Sequence, residues 1–260
     1  MEEIAYAKVN LELRVRARRP DGYHEVDTLF AFAEDGDRLS VGPAEELGLQ
    51  VTGPFAAALG APEDNLVLRA ARLLGEGRGA ALTLDKRLPV ASGIGGGSAD
   101  AAAALRLLVR WWGLRLGRAE LLALARHLGA DVPACLESRI VRGTGRGDHL
   151  APDAGPEFRG DPILLVNPGV PVATADVFGR WKGASAPGSN DLEPPAREIA
   201  PVIGEVVDRL GEQPGVRMAS MSGSGATCFA LFDSDEALGR AASAIAARHP
   251  HWWQLASRLR

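Results

Sequence analysis

The sequence predicts an α+β protein in two parts. Three observations carry that reading: a strand-rich opening that gives way to capped helices, a stretch rich in glycine, proline and charge between residues 142 and 162, and a second series of strands and helices beyond it. A chain of 260 residues with 46% hydrophobic content can build two ordinary cores. The dividing stretch places a first domain at 1–152 and a second at 153–260.

Each element follows from local chemistry. Residues 4–18 alternate loosely between apolar and polar side chains, as a half-buried strand does, and Glu25–Ala33 and Arg38–Val41 continue in the same character. Asn65 can cap an amphipathic helix over Leu66–Leu74, which stops at Gly75, Gly77 and Gly79. A strand over Ala80–Asp85 comes next, then helices over 98–112 and 118–128, the second ended by Gly129. Asp131 before Val132-Pro133 has the form of a helix cap with proline in the first turn. Beyond the divide come a strand over Ile163–Val166, helices over Thr174–Trp181 and Pro195–Leu210, and strands near 217–220 and 226–232. A helix over Asp235–Arg248 and a strand near 252–257 close the chain, while Gly183–Pro195 has the composition of a loop.

The joint after the Ala80–Asp85 strand carries the chemistry. It reads Pro89-Val90-Ala91-Ser92-Gly93-Ile94-Gly95-Gly96-Gly97-Ser98-Ala99-Asp100 and runs straight into the apolar Ala101–Val109. Its glycines let backbone N–H groups point into one concavity without Cβ atoms in the way. Ser98 is placed as the helix cap, and the helix start behind it offers unpaired N–H groups and a positive dipole end. This is a phosphate-binding arrangement. A Walker A loop is excluded because Ser98-Ala99 follow Gly97, and after that glycine no lysine comes until Lys182. A dinucleotide fingerprint fits poorly too, with Ser98 where its third glycine belongs.

Composition narrows the function classes. A net charge of −4 argues against a general nucleic-acid binder, and no apolar run is long enough to cross a bilayer. Met1-Glu2-Glu3-Ile4 lacks a basic start and apolar segment, so a cytoplasmic location is expected. Cys135 and Cys228 stand far apart in apolar surroundings, as buried free thiols, and His127, His149, His249 and His251 show no metal spacing. Arg14, Arg16 and Arg18 share a strand face, read first as solvated and second as a phosphate-attracting edge. Arginine outnumbers lysine 26 to 3, which draws attention to Lys8 and Lys86 inside motif-like stretches. A second glycine turn, Met221-Ser222-Gly223-Ser224-Gly225-Ala226-Thr227, could be a simple strand connection or a second wall of the phosphate site.

Three segments in this order, Ala7-Lys8-Val9-Asn10-Leu11, the loop at Pro89–Asp100 and Ser222-Gly223-Ser224-Gly225, resemble the GHMP kinase superfamily. That superfamily comprises small-molecule kinases with a loop of the form P-x-x-x-G-x-G-x-G-S. The stretches Arg19-Pro20-Asp21-Gly22-Tyr23-His24, Glu63-Asp64-Asn65-Leu66, Asp85-Lys86-Arg87-Leu88-Pro89 and Gly129-Ala130-Asp131-Val132-Pro133 are similar to its branch with a cytidine-linked acceptor. Ala99 and Tyr6 depart from a serine and a proline common at those places.

The resemblance implies a two-domain GHMP kinase fold: an N-terminal ribosomal-S5-domain-2-like β/α domain and a C-terminal ferredoxin-like α/β sandwich. It implies transfer of the γ-phosphoryl of ATP, with Mg²⁺, to the 2-hydroxyl of a cytidine-diphosphate-linked methylerythritol in the non-mevalonate route to isoprenoid precursors. Asp131 would serve that hydroxyl and Lys8 the neighbouring phosphate and carboxylate, an ammonium favouring the charged carboxylate beside it. Residues Pro89 to Ala99 would hold the triphosphate, and Asn65 and Lys86 would frame adenine. Asn65 could equally be a plain helix cap and Lys86 a surface charge. Tyr23 and His24 suit a pyrimidine, one by stacking and one by reading its edge. Phe178 would be the opposite face or a core residue, and Asn10 would touch the acceptor's polyol or phosphates. For the metal the sequence names no protein ligand.

Overall fold

The computed structural model describes residues 1–20, 22–60, 64–151, 155–183 and 190–260. Asp21 and Glu63 of the motifs, the domain boundary at 152 and residues 184–189 of the loop at 183–195 lie outside the described residues. By packing, the chain divides into two compact units. One contains Met1–Lys8, Asp35–Val90 and Gly95–Ser138, and the other Val9–Glu34, Ala91–Ile94 and Arg139–Arg260. The long strands β1 (Glu2–Arg18) and β2 (His24–Gly42), which pair with each other, and the glycine loop each contribute to both units. Sheet membership is simpler along the sequence: one sheet is finished by Ala151 and the other starts at Pro162.

In the first unit β4 (Ala80–Asp85) pairs antiparallel with the Arg38–Gly42 end of β2 and parallel with β3 (Leu47–Thr52). β3 was not expected from sequence; its half-exposed LGLQVT alternates too weakly to stand out. Four helices pack here: α1 (Leu66–Leu74), α2 (Gly96–Trp111), α3 (Arg118–Leu128) and α4 (Val132–Glu137). α1 starts as expected, with the Asn65 side chain accepting from Val67 N at 2.9 Å. Ala101–Ala104 of α2 are wholly buried, since only small side chains let neighbouring helices come so close. Arg106 of α2 ties the unit together through Glu3, the Ile4 and Cys135 carbonyls and Ser138.

In the second unit Val26–Phe30 of β2 pairs with β5 (Val141–Gly145), which turns back into β6 (His149–Ala151). Part of the stretch expected as a domain divide is therefore a hairpin. Its glycines have steric causes: Gly145 and Gly147 turn at φ +72° and +95°, and a Cβ on Gly143 would lie 2.6 Å from the Phe30 ring. The second sheet runs β10 (Trp253–Arg258), β7 (Pro162–Asn167), β9 (Cys228–Phe232), β8 (Val216–Met221), antiparallel throughout. Leu164, Val166, Ala230 and Phe232 of its middle strands bury one face with Ile203, Val206, Leu238 and Ile245 of the helices. This is the α/β sandwich that was expected.

The helices of this unit are α5 (Thr174–Arg180), α6 (Glu193–Ile199), α7 (Val202–Gly211) and α8 (Asp235–Arg248). The single helix expected over Pro195–Leu210 is two, because Pro201 has no N–H to continue α6 and instead caps α7. Among the described residues no helix is long and apolar enough to cross a membrane.

Candidate active site

The glycine loop leaves β4 and enters α2 with two left-handed residues, Gly93 at φ +81° and Gly95 at φ +62°, and a non-glycine one, Ala91 at φ +51°. The helix begins one turn earlier than expected. Gly95, not Ser98, occupies the cap position, and no side chain caps it. The first closing bond runs from Ala99 N to the Gly95 carbonyl at 2.8 Å, so the amides of Gly96, Gly97 and Ser98 precede the helical ladder. Gly97 is exposed and Ser98 half-buried, whereas Pro89, Ser92, Ile94 and Ala99 are buried and Val90 is partly so. A concave run of amides at a positive dipole end is thus present, with the side chains of the loop turned largely inward.

Lys8 and Asp131 meet beside it. Lys8 on β1 is 3% exposed, and its Nζ lies 3.2 Å from Asp131 Oδ2. Asp131 occupies the position before α4, with Pro133 in the first turn as the sequence suggests, yet its side chain makes no cap bond and faces Lys8 instead. A Cβ on Gly95 would lie 2.9 Å from Lys8 Cε and 3.8 Å from Asp131 Oδ2. Glycine at 95 is what allows the phosphate loop and the ion pair to touch.

Lys86 is not a surface charge. It is 1% exposed and bonded to Asp37 and Asp100. Asn65 is engaged as the cap of α1, and the next residue, Leu66, stands 3.6 Å from where a Cβ on Gly97 would be.

The second unit holds the other predicted residues. Asn10 donates its amide N–H to Ser222 Oγ at 3.1 Å and its side-chain Nδ2 to Thr28 Oγ1 at 2.8 Å. Ser222 Oγ donates in turn to the Gly93 carbonyl, and Thr227 N donates to the Ser92 carbonyl. The second glycine turn therefore packs on the first part of the phosphate loop. A Cβ on Gly223 would stand 2.7 Å from the Gly93 carbonyl oxygen, so a side chain there would part the two. Asn190, which sequence reasoning passed over, holds that turn by donating to the Met221 and Gly223 carbonyls. Its only signal was an asparagine in a loop.

His24 stacks on Phe178, ring centroids 4.6 Å apart and planes at 24°, with Trp181 edge-on to His24 at 6.0 Å. Tyr23 is 54% exposed and lies beneath the Arg146 guanidinium at 5.1 Å. Phe178 is partly buried, packed against the core on one side and stacked on His24. Burial, then the positive charge of Arg18, holds the His24 imidazole below its ordinary range. Of the basic strand face, Arg14 is not solvated but paired at 3.0 Å with the buried Asp191, while Arg16 is exposed and pairs with Asp27. Cys135 and Cys228 are buried free thiols, both pushed up by burial.

An ammonium and a carboxylate against an anion loop are the parts that a phosphoryl-transfer enzyme uses. The chain matches the family descriptions GHMP kinases N terminal domain over residues 65–139 and GHMP kinases C terminal over 174–251. It is 54% identical over 279 residues to a 4-diphosphocytidyl-2-C-methyl-D-erythritol kinase of Rhizorhabdus wittichii, covering 99% of this chain and 94% of that protein. A protein of the same name from Cereibacter sphaeroides is 50% identical, with 99% of each chain covered. A crystal structure of 4-(cytidine 5'-diphospho)-2C-methyl-D-erythritol kinase superposes with a TM-score of 0.84 at 37% identity, covering 100% of this chain and 99% of that one. A homoserine kinase from Cytophaga hutchinsonii, at 18% identity and a TM-score of 0.71 over 100% and 94%, shares the fold. The chain belongs to the GHMP kinases, and within them to the 4-diphosphocytidyl-2-C-methyl-D-erythritol kinase family.

Proposed function

We infer that the protein transfers the γ-phosphoryl group of ATP to the 2-hydroxyl of 4-diphosphocytidyl-2-C-methyl-D-erythritol, a step of non-mevalonate isoprenoid precursor synthesis. The observation that carries this reading is the Lys8–Asp131 pair at 3.2 Å against Gly95 of the phosphate loop. Asp131 accepts the proton of the attacking hydroxyl, and Lys8 adds positive charge where the transferring group is most anionic. The amides from Gly93 to Ala99 hold the phosphates, with Pro89 to Ser92 shaping the approach. Asn65 frames adenine in this reading, which its place at the start of the helix whose Leu66 lies by Gly97 supports.

His24, Phe178 and Tyr23 take the cytosine, and Asn10 the polyol or phosphates. The His24–Phe178 stack supports this, since a flat aromatic face with an imidazole edge beside it suits a pyrimidine. Mg²⁺ would come with the nucleotide. Among the described residues no group of three or more His, Cys, Asp or Glu is placed to hold an ion, which fits a cation coordinated chiefly by phosphate oxygens and water. Both substrates are soluble polyanions, which fits action in the cytoplasm on a small molecule rather than on nucleic acid or at a membrane.

A coupled assay of ADP release tests the function directly. Turnover is expected with the cytidine-linked methylerythritol and not with homoserine or mevalonate. Activity on either of the latter alone would overturn the acceptor, and ATP binding without any turnover would leave only a nucleotide-binding protein.

A further inference from the structure

Beneath the glycine loop lies a buried charge cluster that phosphoryl transfer itself does not use. Lys86 Nζ stands 2.5 Å from Asp37 Oδ2 and 2.7 Å from Asp100 Oδ2, and all three residues are at most 2% exposed. The other oxygen of Asp37, Oδ1, accepts from the amides of Arg87 at 2.5 Å and Leu88 at 2.8 Å. Asp37 thus grips the chain as it leaves β4, and Lys86 ties that exit to Asp100 in the opening turns of α2. A Cβ on Gly96 would lie 3.0 Å from Lys86 Nζ and 3.9 Å from Asp37 Oδ2. The cluster therefore sits directly behind a residue of the anion loop.

Its charges do not balance when all three groups are ionised. Two carboxylates and one ammonium leave a net negative charge in a place that water does not reach, which is strongly disfavoured. Asp100 Oδ1 has no hydrogen-bond partner among the described residues, the position at which a proton would rest. Burial drives the Asp100 carboxyl up, Lys86 draws it back and Asp37 pushes it up again, leaving it at about 8. The Cys135 thiol of α4 is held protonated by burial, and the charged side chains Arg69, Arg72, Arg118 and Arg126 of α1 and α3 are exposed.

We propose that Lys86, Asp37 and Asp100 are positioning residues for the phosphate loop, and that their cluster retains one proton, so that net negative charge arises behind Gly96 only in alkaline solution and there weakens nucleotide binding. This rests on the reading that the loop holds nucleotide phosphates. It assigns Lys86 a place under the loop in place of contact with adenine.

The test is calorimetric titration of the purified enzyme with ADP and with β,γ-imido ATP between pH 7 and 9.5, beside steady-state kinetics and thermal melting. In the unaltered protein, affinity is expected to fall about tenfold across that range, as one added charge near the phosphates implies. Asp100→Asn keeps the shape but has no proton to lose, and is expected to flatten the profile. Lys86→Met is expected to raise KM for ATP at least about tenfold while KM for the acceptor stays within twofold, a split that general destabilisation would not produce. A flat profile in the unaltered protein, an Asp100→Asn profile that still falls, or a folded Lys86→Met enzyme with unchanged KM for ATP would each overturn the proposal. Should Lys86→Met not fold, the Asp100→Asn profile decides. Failure of the unaltered enzyme to bind either nucleotide at any pH would instead refute the phosphate site, and the proposal with it.

Discussion

Lys8 Nζ stands 3.2 Å from Asp131 Oδ2, yet the two side chains live in different surroundings: Lys8 is 4% exposed and Asp131 35%. The ammonium is buried inside the unit while the carboxylate is partly open. That asymmetry suits the proposed roles, in which a stabilising charge is held still and a base is reached by the hydroxyl.

Asp131→Asn should therefore abolish most turnover and leave nucleotide binding in place. A positioned general base contributes about 10²–10⁴ in rate. The expected result is a fall in kcat within that range with an ADP dissociation constant unchanged within about twofold, measured by steady-state assay and calorimetry. A variant with full kcat removes Asp131 from the chemistry.

Gly95→Ala tests the contact between loop and ion pair. An L side chain at φ +62° costs about 1–2 kcal/mol, and the new methyl would meet Lys8 Cε at 2.9 Å. The expected outcome is a lowered melting temperature together with a kcat loss of at least about tenfold, because the displaced atom belongs to the ammonium's own stem. Gly97→Ala, whose new methyl meets only Leu66 at 3.6 Å, should be much milder in the same assays.

The history of these residues in the sequence explains what could be read there. The loop was legible because its function is written in the backbone, and glycines are the one residue type whose reason for being present is conformational. Asp131 could be seen as a cap or a base, and its sequence neighbours do not record that its side chain makes no cap bond and faces Lys8. Lys86 could be read as an adenine contact or a surface charge but not as a buried tie, because its partners Asp37 and Asp100 lie 49 and 14 residues away, and a single lysine carries no trace of distant carboxylates. The same holds for Arg14 and Asp191, 177 residues apart. The hairpin of β5 and β6 was read as a divide because glycines that turn a hairpin and glycines that loosen a linker look alike in sequence.

The acceptor side is tested by Tyr23→Ala. The ring is 54% exposed, so its removal should change the melting temperature little. Stacking of a base on an aromatic ring contributes about 1–3 kcal/mol, which predicts a rise of about tenfold or more in KM for the acceptor with KM for ATP unaltered. An unchanged acceptor KM would remove Tyr23 from the cytosine site.

His24 gives that site a pH dependence whose sign follows from its environment. Burial first and Arg18 second hold its imidazole below the ordinary range, so the folded protein keeps it neutral to lower pH than a free histidine. A group depressed in this way contributes stability that is present above the unfolded value and lost as pH falls through the folded one. KM for the acceptor should be level from pH 8 down through the usual histidine range and climb only below it, and His24→Gln should be level throughout.

Asp191→Ala addresses the fold rather than the chemistry. The carboxylate is fully buried, accepts from Arg14 at 3.0 Å and from the Val15 amide at 2.9 Å, and its own N–H donates to the Leu13 carbonyl. Removing it takes the carboxylate away from the Arg14 guanidinium, itself only 16% exposed, and from the Val15 N–H in the interior. Breaking one side of a buried pair costs about 3–5 kcal/mol, and Arg14's partial exposure lets water soften that to about 2–3 kcal/mol. Urea unfolding should show the midpoint falling accordingly with the slope unchanged. Arg14→Met/Asp191→Leu, which removes both charges together, should recover much of the loss, because no charge then remains buried alone. If the single variant loses less than about 0.5 kcal/mol, the pair contributes nothing that the surrounding strand does not already supply.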